Sequence, residues 1–395
     1  MKFSFFHAVT CLATTHTCIL QNTIALAFSP TIIHQQHSHR SISSRQSETE
    51  TALKATWSNG QAIQEYQDFL ASGKQEIEKK PDGPSVIVIS AISNPPINFI
   101  AEAIAFMNDK KTDVIMRPGE PLPAELGDQE SYPIYVAVPP NELDDFIKTL
   151  PKEWEPRRED FVFLSGGPRC GVIEPILKSH GFARDTMTQL LCGSFTTPDT
   201  SSGIHRPLDL CCKIGVDAMG ETKWAGETAV CGKWAGAVQT RFESHQIRCK
   251  VGFYREWRRL MWERASFDAV FNLVGAVRDE PTTIKEVAMY YEPETSDMLW
   301  QVTGNLRGML AVTLPYGFEE RLFGFAETFS EQQCELSEEM FPYTFCPPLT
   351  GGNKIIEYLN YAKDVNGLIQ NTALPRFDNR PSKMRQGNLR ADGVV

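Results

Sequence analysis

After its first thirty residues this chain of 395 has no apolar run long enough to cross a bilayer, so no membrane span is expected in the body of the protein. Positive charge is in short supply. Thirty-nine Lys and Arg face 49 Asp and Glu, and a formal net charge of -10 argues against non-specific binding to nucleic acid or to an anionic membrane. Ten cysteines are present, but Cys170, Cys192, Cys211, Cys212, Cys231, Cys249, Cys334 and Cys346 form no CxxC pair and no metal-ligand spacing with histidine. They read as scattered reduced thiols. Histidine is scarce beyond the first forty residues, which leaves metal-dependent hydrolysis without ligands. The glycine-rich turn G-x-G-x-x-G does not occur in the sequence.

The composition, 42% hydrophobic and 22% charged, is that of a globular chain long enough for two cores. The N-terminus reads as an address. Lys2 precedes an apolar stretch, Ala25-Leu26-Ala27 is a small-x-small cleavage site, and Phe28 to Ser47 is free of acid, rich in Ser and His, and carries Arg40 and Arg45. Residues 1–27 are therefore taken as a signal peptide and 28–53 as a transit peptide, a pairing that resembles the bipartite presequences of algae with secondary plastids. Plastid stroma is the expected location, with secretion as the alternative. Residues 54–83 form a helical extension, with Ile63, Tyr66, Phe69 and Leu70 on one side.

From Pro84 the texture changes. Ser85 to Ile89 is a continuous apolar run, as in a strand buried on both faces of a parallel sheet. A helix from about Asn94 and a second strand at Asp113 to Met116 complete a β-α-β opening. Further strands are expected at Tyr135 to Pro139 and Phe161 to Gly167, a helix at Leu143 to Leu150 and another at Ile173 to His180. Leu190 to Gly193 is a further apolar run, and Ala235 to His245 with Ile247 to Val251 make a closing helix and strand. Two copies of Lys-Trp-Ala-Gly, at Lys223 and Lys233, read as helix-packing residues. Beyond Phe253 the pattern is helical: Trp257 to Val277, Thr283 to Tyr290, Ser296 to Val312 and Asn353 to Ile369. The expected fold is an α/β Rossmann-like domain with a mostly parallel sheet (84–252), followed by an all-α C-terminal domain (253–371). A basic tail (372–395) carrying Arg376, Arg380, Lys383, Arg385 and Arg390 is read as disordered.

Within Trp262 to Val277, Arg264, Asp268 and Asn272 recur every fourth residue and share one helical face, flanked by Phe267, Val270, Phe271 and Val274. The plain reading is an Arg264–Asp268 pair worth about 0.3–0.5 kcal/mol beside a hydrogen-bonded asparagine. The stretch also resembles the first helix of the C-terminal domain in the ketopantoate reductase family, WxKLxxNxxxNPLxA. Trp262, Asn272 and Ala276 match, Arg264 stands at the lysine and Asp268 at the first asparagine. The segment NKIIEYLNYAKDVNGLI resembles the family's TEIDYLNGYVV, with Glu357 at the aspartate, Asn360 retained and Ile355 at the substrate-binding glutamate.

The resemblance implies a reductase in which nicotinamide delivers hydride to a 2-keto acid while the helix lysine protonates the forming alkoxide. It places Arg264, Asp268 and Asn272 at the catalytic positions, and Gly166, Gly167, Glu357 and Asn360 about the substrate. Ser90, Ala91, Ser93, Asn94 and Arg117 fall at the cofactor. Five family signatures are altered: the glycine turn is Ser90-Ala91-Ile92-Ser93-Asn94-Pro95, Pro139 follows VAV in place of lysine, Gly166 replaces an asparagine, Arg264 the lysine and Ile355 the glutamate. Two functions therefore stand together: an NADP-dependent reductase of a small carbonyl compound, or a non-catalytic relative, binding no dinucleotide, that senses a ligand or engages a protein partner. Either would hold a small molecule in the interdomain cleft. The sequence does not give the oligomeric state; the resemblance implies a homodimer, by analogy with relatives that dimerise through the helical domain.

Overall fold

A computed structural model describes residues 81–360 apart from 91–94, 109, 111, 128, 167–169, 183–186, 194–226, 279, 281, 330–331, 337–340, 347 and 351–353. The presequence, the helical extension, the first Lys-Trp-Ala-Gly copy and the basic tail lie outside these residues. The first half is strand-rich: β1 (Val86–Ile89), α1 (Pro95–Phe106), β2 (Val114–Met116), β3 (Ile134–Ala137), α2 (Pro140–Lys148), a 3-10 stretch (Lys152–Asp160), β4 (Phe161–Ser165), α3 (Glu174–Ser179), β5 (Thr188–Leu191), β6 (Thr228–Cys231), α4 (Ala235–Ser244) and β7 (Cys249–Val251). The second half is helical: α5 (Tyr254–Ala276), α6 (Ile284–Tyr290), α7 (Glu292–Leu310), α8 (Phe318–Glu327) and α9 (Phe341–Thr344), with residues 354–360 also helical.

The seven strands form one sheet in the order β2-β1-β3-β4-β5-β6-β7. β1 to β5 are parallel; β6 pairs antiparallel with β5 and parallel with β7. This is a Rossmann-like, mostly parallel sheet. The order reverses between β1 and β3, so the crevice at a switch point opens beyond the carboxyl ends of those two strands.

Alternate residues of the apolar strands feed two cores. Ile87, Tyr135, Val162, Leu164 and Leu190 pack with α1 and α4 residues such as Ile100 and Phe242. Val86, Val88, Val136, Phe161 and Phe163 pack on the other face with Leu143 and Phe146 of α2, Trp154 and Leu177. A third core gathers around α5 and reaches Leu191, Ala229 and Cys231 of the sheet. Fifteen of the 23 residues of α5 are buried, which makes it a central helix rather than a surface one. Trp257 Nε1 fastens it to the Ala229 carbonyl at 3.1 Å. Gly275 lets a neighbour come close, since a Cβ there would lie 2.2 Å from Cys334 Sγ. Sheet and helices belong to one compact unit.

Several boundaries differ from expectation. α7 begins at Glu292, a turn earlier than Ser296, because Pro293 fits the first helical turn, where its missing N–H costs nothing. α5 likewise begins at Tyr254, three residues ahead of Trp257. The helix Phe318–Glu327 and the strand Thr228–Cys231 were not anticipated, although Phe318, Leu322, Phe325 and Ala326 do recur on one helical face and are buried. The second Lys-Trp-Ala-Gly copy proves to be an anchor ahead of α4. Lys233 Nζ (2.8 Å) and Trp234 Nε1 (3.1 Å) both donate to Asp160 Oδ1, and Arg157 Nε donates to its other oxygen at 2.6 Å. All six described cysteines are free thiols, and no metal-binding cluster occurs among the described residues. No described helix is long and apolar enough to cross a membrane.

The amino ends of β1 and β2 are pinned by Arg241, fully buried on α4. Its guanidinium donates to Asp82 (3.0 Å), Asp113 (2.9 Å), the Ser85 hydroxyl (3.1 Å) and the Gly83 carbonyl (2.7 Å). Replacing it by Met strands two carboxylates, one of them buried. The expected loss is about 3–5 kcal/mol in urea denaturation. Burial works to raise the Asp160 carboxyl, but Lys233 and Arg157 outweigh it and hold the group below its ordinary value. Asp160 therefore contributes stability above the unfolded carboxyl's pKa of about 3.9, and loses it as pH falls through the lower folded value. Asp160→Asn should lower stability at neutral pH and flatten its decline below about pH 4, read from urea midpoints across pH.

Candidate functional site

On α5 the four-residue spacing brings Arg264, Asp268 and Asn272 together. Arg264, only 3% exposed, donates through Nε to both Asp268 oxygens at 3.2 and 3.0 Å, and through Nη1 to the Gly193 carbonyl at 2.5 Å. Its guanidinium lies over the Phe325 ring at 4.7 Å and the Phe267 ring at 5.5 Å. Aromatic faces and a carboxylate together make burial of this cation tolerable. Asn272 donates to the Asp268 backbone carbonyl at 2.7 Å and accepts from the Glu335 N–H at 3.1 Å, so it ties the helix to the segment after α8. The Asp268 side chain is 24% exposed, the most open of the Arg264–Asp268 pair.

This stripe meets the carboxyl ends of two strands. Gly193 follows β5, and Gly166 follows β4 with φ +65, its N–H closing a turn on the Gly171 carbonyl at 3.0 Å. A Cβ at Gly166 would stand 2.3 Å from Leu191 Cδ1 and 3.7 Å from Arg264 Cγ. Both the left-handed backbone and the closeness of Leu191 therefore ask for glycine. Burial pushes the Asp268 carboxyl up, against the pull of the Arg264 guanidinium. Arg264 itself cannot serve as a proton donor near neutrality. Together the pair presents a positioned but nearly neutral polar surface.

The cofactor end of the sheet is built differently from what a pyrophosphate requires. Ser90, immediately after β1, donates from Oγ to Glu142 Oε2 at 2.5 Å, and Glu142 lies in the first turn of α2 just beyond β3. A carboxylate thus bridges the switch point where phosphate charge would have to sit. α1 opens with Pro95 and Pro96, which remove two of the N–H groups that an anion at a helix start would use. These residues do not fit a dinucleotide's pyrophosphate. Ala91, Ser93, Asn94 and Gly167 lie outside the described residues. Arg117 is exposed, with its backbone N–H on Glu120 Oε2 at 3.2 Å.

Glu357 and Asn360 sit on the helical segment 354–360, Asn360 exposed and Glu357 half-buried. That segment is fixed to α7 by Lys354 on Asp297 and by the Tyr358 hydroxyl on Glu294, and Ile355 is buried in the helical core. An apolar residue at that position is therefore a packing residue here. Glu142 was missed from sequence, because an acidic residue in a helix's first turn is too ordinary to stand out.

Neither a protein-family model nor a curated protein matches the sequence. Among solved structures, the chain is similar to 2-dehydropantoate 2-reductase from Methylococcus capsulatus, at 11% identity over 74% of this chain and 99% of that one, with a TM-score of 0.42. It is also similar to D-mandelate dehydrogenase in complex with NADH, at 10% identity over 78% and 98% of the two chains, with a TM-score of 0.33.

Arg264→Met keeps the aliphatic stem but leaves Asp268 without its counter-charge and the Gly193 carbonyl without its donor. The expected cost is about 3 kcal/mol. Adding Asp268→Asn in the same chain should recover part of that loss, because the uncompensated charge disappears; a double-mutant cycle of denaturation midpoints measures the recovery.

Proposed function

We propose that this chain is a divergent relative of ketopantoate reductase that has kept the sheet and the polar stripe of α5 but does not use a dinucleotide. It acts as a non-catalytic, ligand-sensing protein whose small-molecule site lies beyond the ends of β4 and β5. The observation that carries this reading is the Glu142 carboxylate held on Ser90 across the β1–β3 switch point. The two prolines opening α1 and the arginine at the proton donor's place on α5 agree with it. The presequence adds plastid stroma as the place of work.

A second reading, an NADP-dependent reductase of a small carbonyl compound, draws support from Arg264 standing against the ends of β4 and β5. In that reading Arg264 and Asn272 position the substrate.

Titration of the full-length chain with NADPH and with NADH, followed by fluorescence and thermal shift, separates the two. The expected result is binding in the millimolar range or none. Micromolar affinity for either nucleotide would restore the reductase and make Arg264→Ala the variant to assay.

A further inference from the structure

Among the described residues, three side chains of the sheet carry buried polar atoms without a hydrogen-bond partner: Tyr135, on the face that packs against α1 and α4, and Ser165 and Gln189 on the opposite face. Ser165 closes β4 and Gln189 lies within β5; both are 0% exposed, and the Ser165 hydroxyl and both ends of the Gln189 amide are unsatisfied. The register pairs Ser165 with Leu191 and Phe163 with Gln189. Residues paired across neighbouring strands point to the same side, so Ser165 and Gln189 are diagonal neighbours on one face. It is the face that carries Leu191, Ala229 and Cys231, which pack into the core around α5. Buried polar groups are seldom left this way, and three such atoms on diagonally placed residues of one face call for a physical cause.

Their place in the fold supplies one. Gly166, the residue after Ser165, comes against the Arg264 side chain, and the guanidinium bonds the Gly193 carbonyl two residues beyond Leu191. Ser165 and Gln189 therefore lie inward of the Arg264–Asp268 pair on the same two strands. Arg264 is already matched by Asp268, and Ser165 and Gln189 carry no charge. What they offer is capacity of both kinds: the amide has two donors and two acceptor sites, the hydroxyl one donor and two. An anion could use only the donors and would leave the amide oxygen facing it.

We propose that Ser165 and Gln189 are the recognition groups of the ligand site, and that the ligand reaches them with a small neutral group that both donates and accepts, a carboxamide, rather than with a carboxylate. This rests on the ligand-binding reading above and assigns it a chemical class.

Acetamide and its isosteric anion acetate are the probes, used with the full-length chain in saturation-transfer difference NMR. Acetamide should receive saturation from the wild type and acetate at least fivefold less. Ser165→Ala, a nearly isosteric change, and Gln189→Leu should each reduce the acetamide signal at least threefold. Silence with acetamide, an acetate signal equal to or stronger than it, or an acetamide signal unchanged in Ser165→Ala would overturn the assignment. So would a higher Tm for Gln189→Leu in a protein that acetamide does not touch, since the amide would then be a packing defect. Failure here is separable from failure of the wider reading. Micromolar NADPH binding removes the non-catalytic function while leaving an acetamide response in place, and loss of the acetamide response leaves the NADPH result standing.

Discussion

A guanidinium sealed between a sheet and a helix must have all its strong neighbours in place, and Arg264 has them on three sides. One side is the carboxylate a turn further along α5, the second is the Gly193 carbonyl just beyond β5, and the third is the pair of phenyl rings from α5 and α8. Asp268 and Phe267 come from α5 itself, Gly193 from beyond β5 and Phe325 from α8, so the full set of contacts exists only when strand end, central helix and α8 have docked. The rest of α5 is organised by the same demand. Glu263, one residue before Arg264, is also buried and is held by Arg321 of α8 in a two-pronged ion pair at 2.9 and 2.8 Å. Two opposite charges on consecutive residues, pointing to different sides of the helix, are thereby fastened to one neighbouring helix and to the sheet, and each limits how the helix can rotate.

Much of the architecture could be read from the chain. The strands buried on both faces announce themselves as unbroken apolar runs, as at Val86–Ile89 and Phe161–Ser165, and the spacing at Arg264, Asp268 and Asn272 places the stripe on one face. The helix Phe318–Glu327 had its period in the sequence and was still passed over, whereas other elements were not legible because their residues serve tertiary partners rather than a period. Thr228–Cys231 is only four residues and is a strand because β5 and β7 flank it. The reversal of its direction leaves no trace in local sequence. Lys233-Trp234 reads as a helix-packing pair, yet its polar atoms belong to Asp160, 73 and 74 residues away.

The site divides in the same manner. Sequence reasoning could name the side chains on α5 because one helix carries them. It could not foresee that Ser90 would be taken up by Glu142, 52 residues on, since that bond depends on β1 and β3 lying side by side. Nor could it single out Gln189, whose isolation is a property of everything packed around it. Hydroxyl, amide and carboxylate have roles set by neighbours, and neighbours are what a linear reading sees last.

The reversed pair β6 and β7 has a consequence for how this molecule can change over time. Because β7 runs opposite to β5, the chain leaves it heading away from the strand ends, and α5 must double back alongside the sheet to reach them. Between Trp257, fixed at Ala229, and Arg264, fixed at Gly193, the helix acts as a measuring rod of seven residues, about 10 Å at 1.5 Å per residue. Side chains along the rod can be exchanged for others of similar bulk. Lengthening or shortening it by a single residue would swing the guanidinium by about 100°, so divergence in this stretch must proceed by replacement and never by insertion.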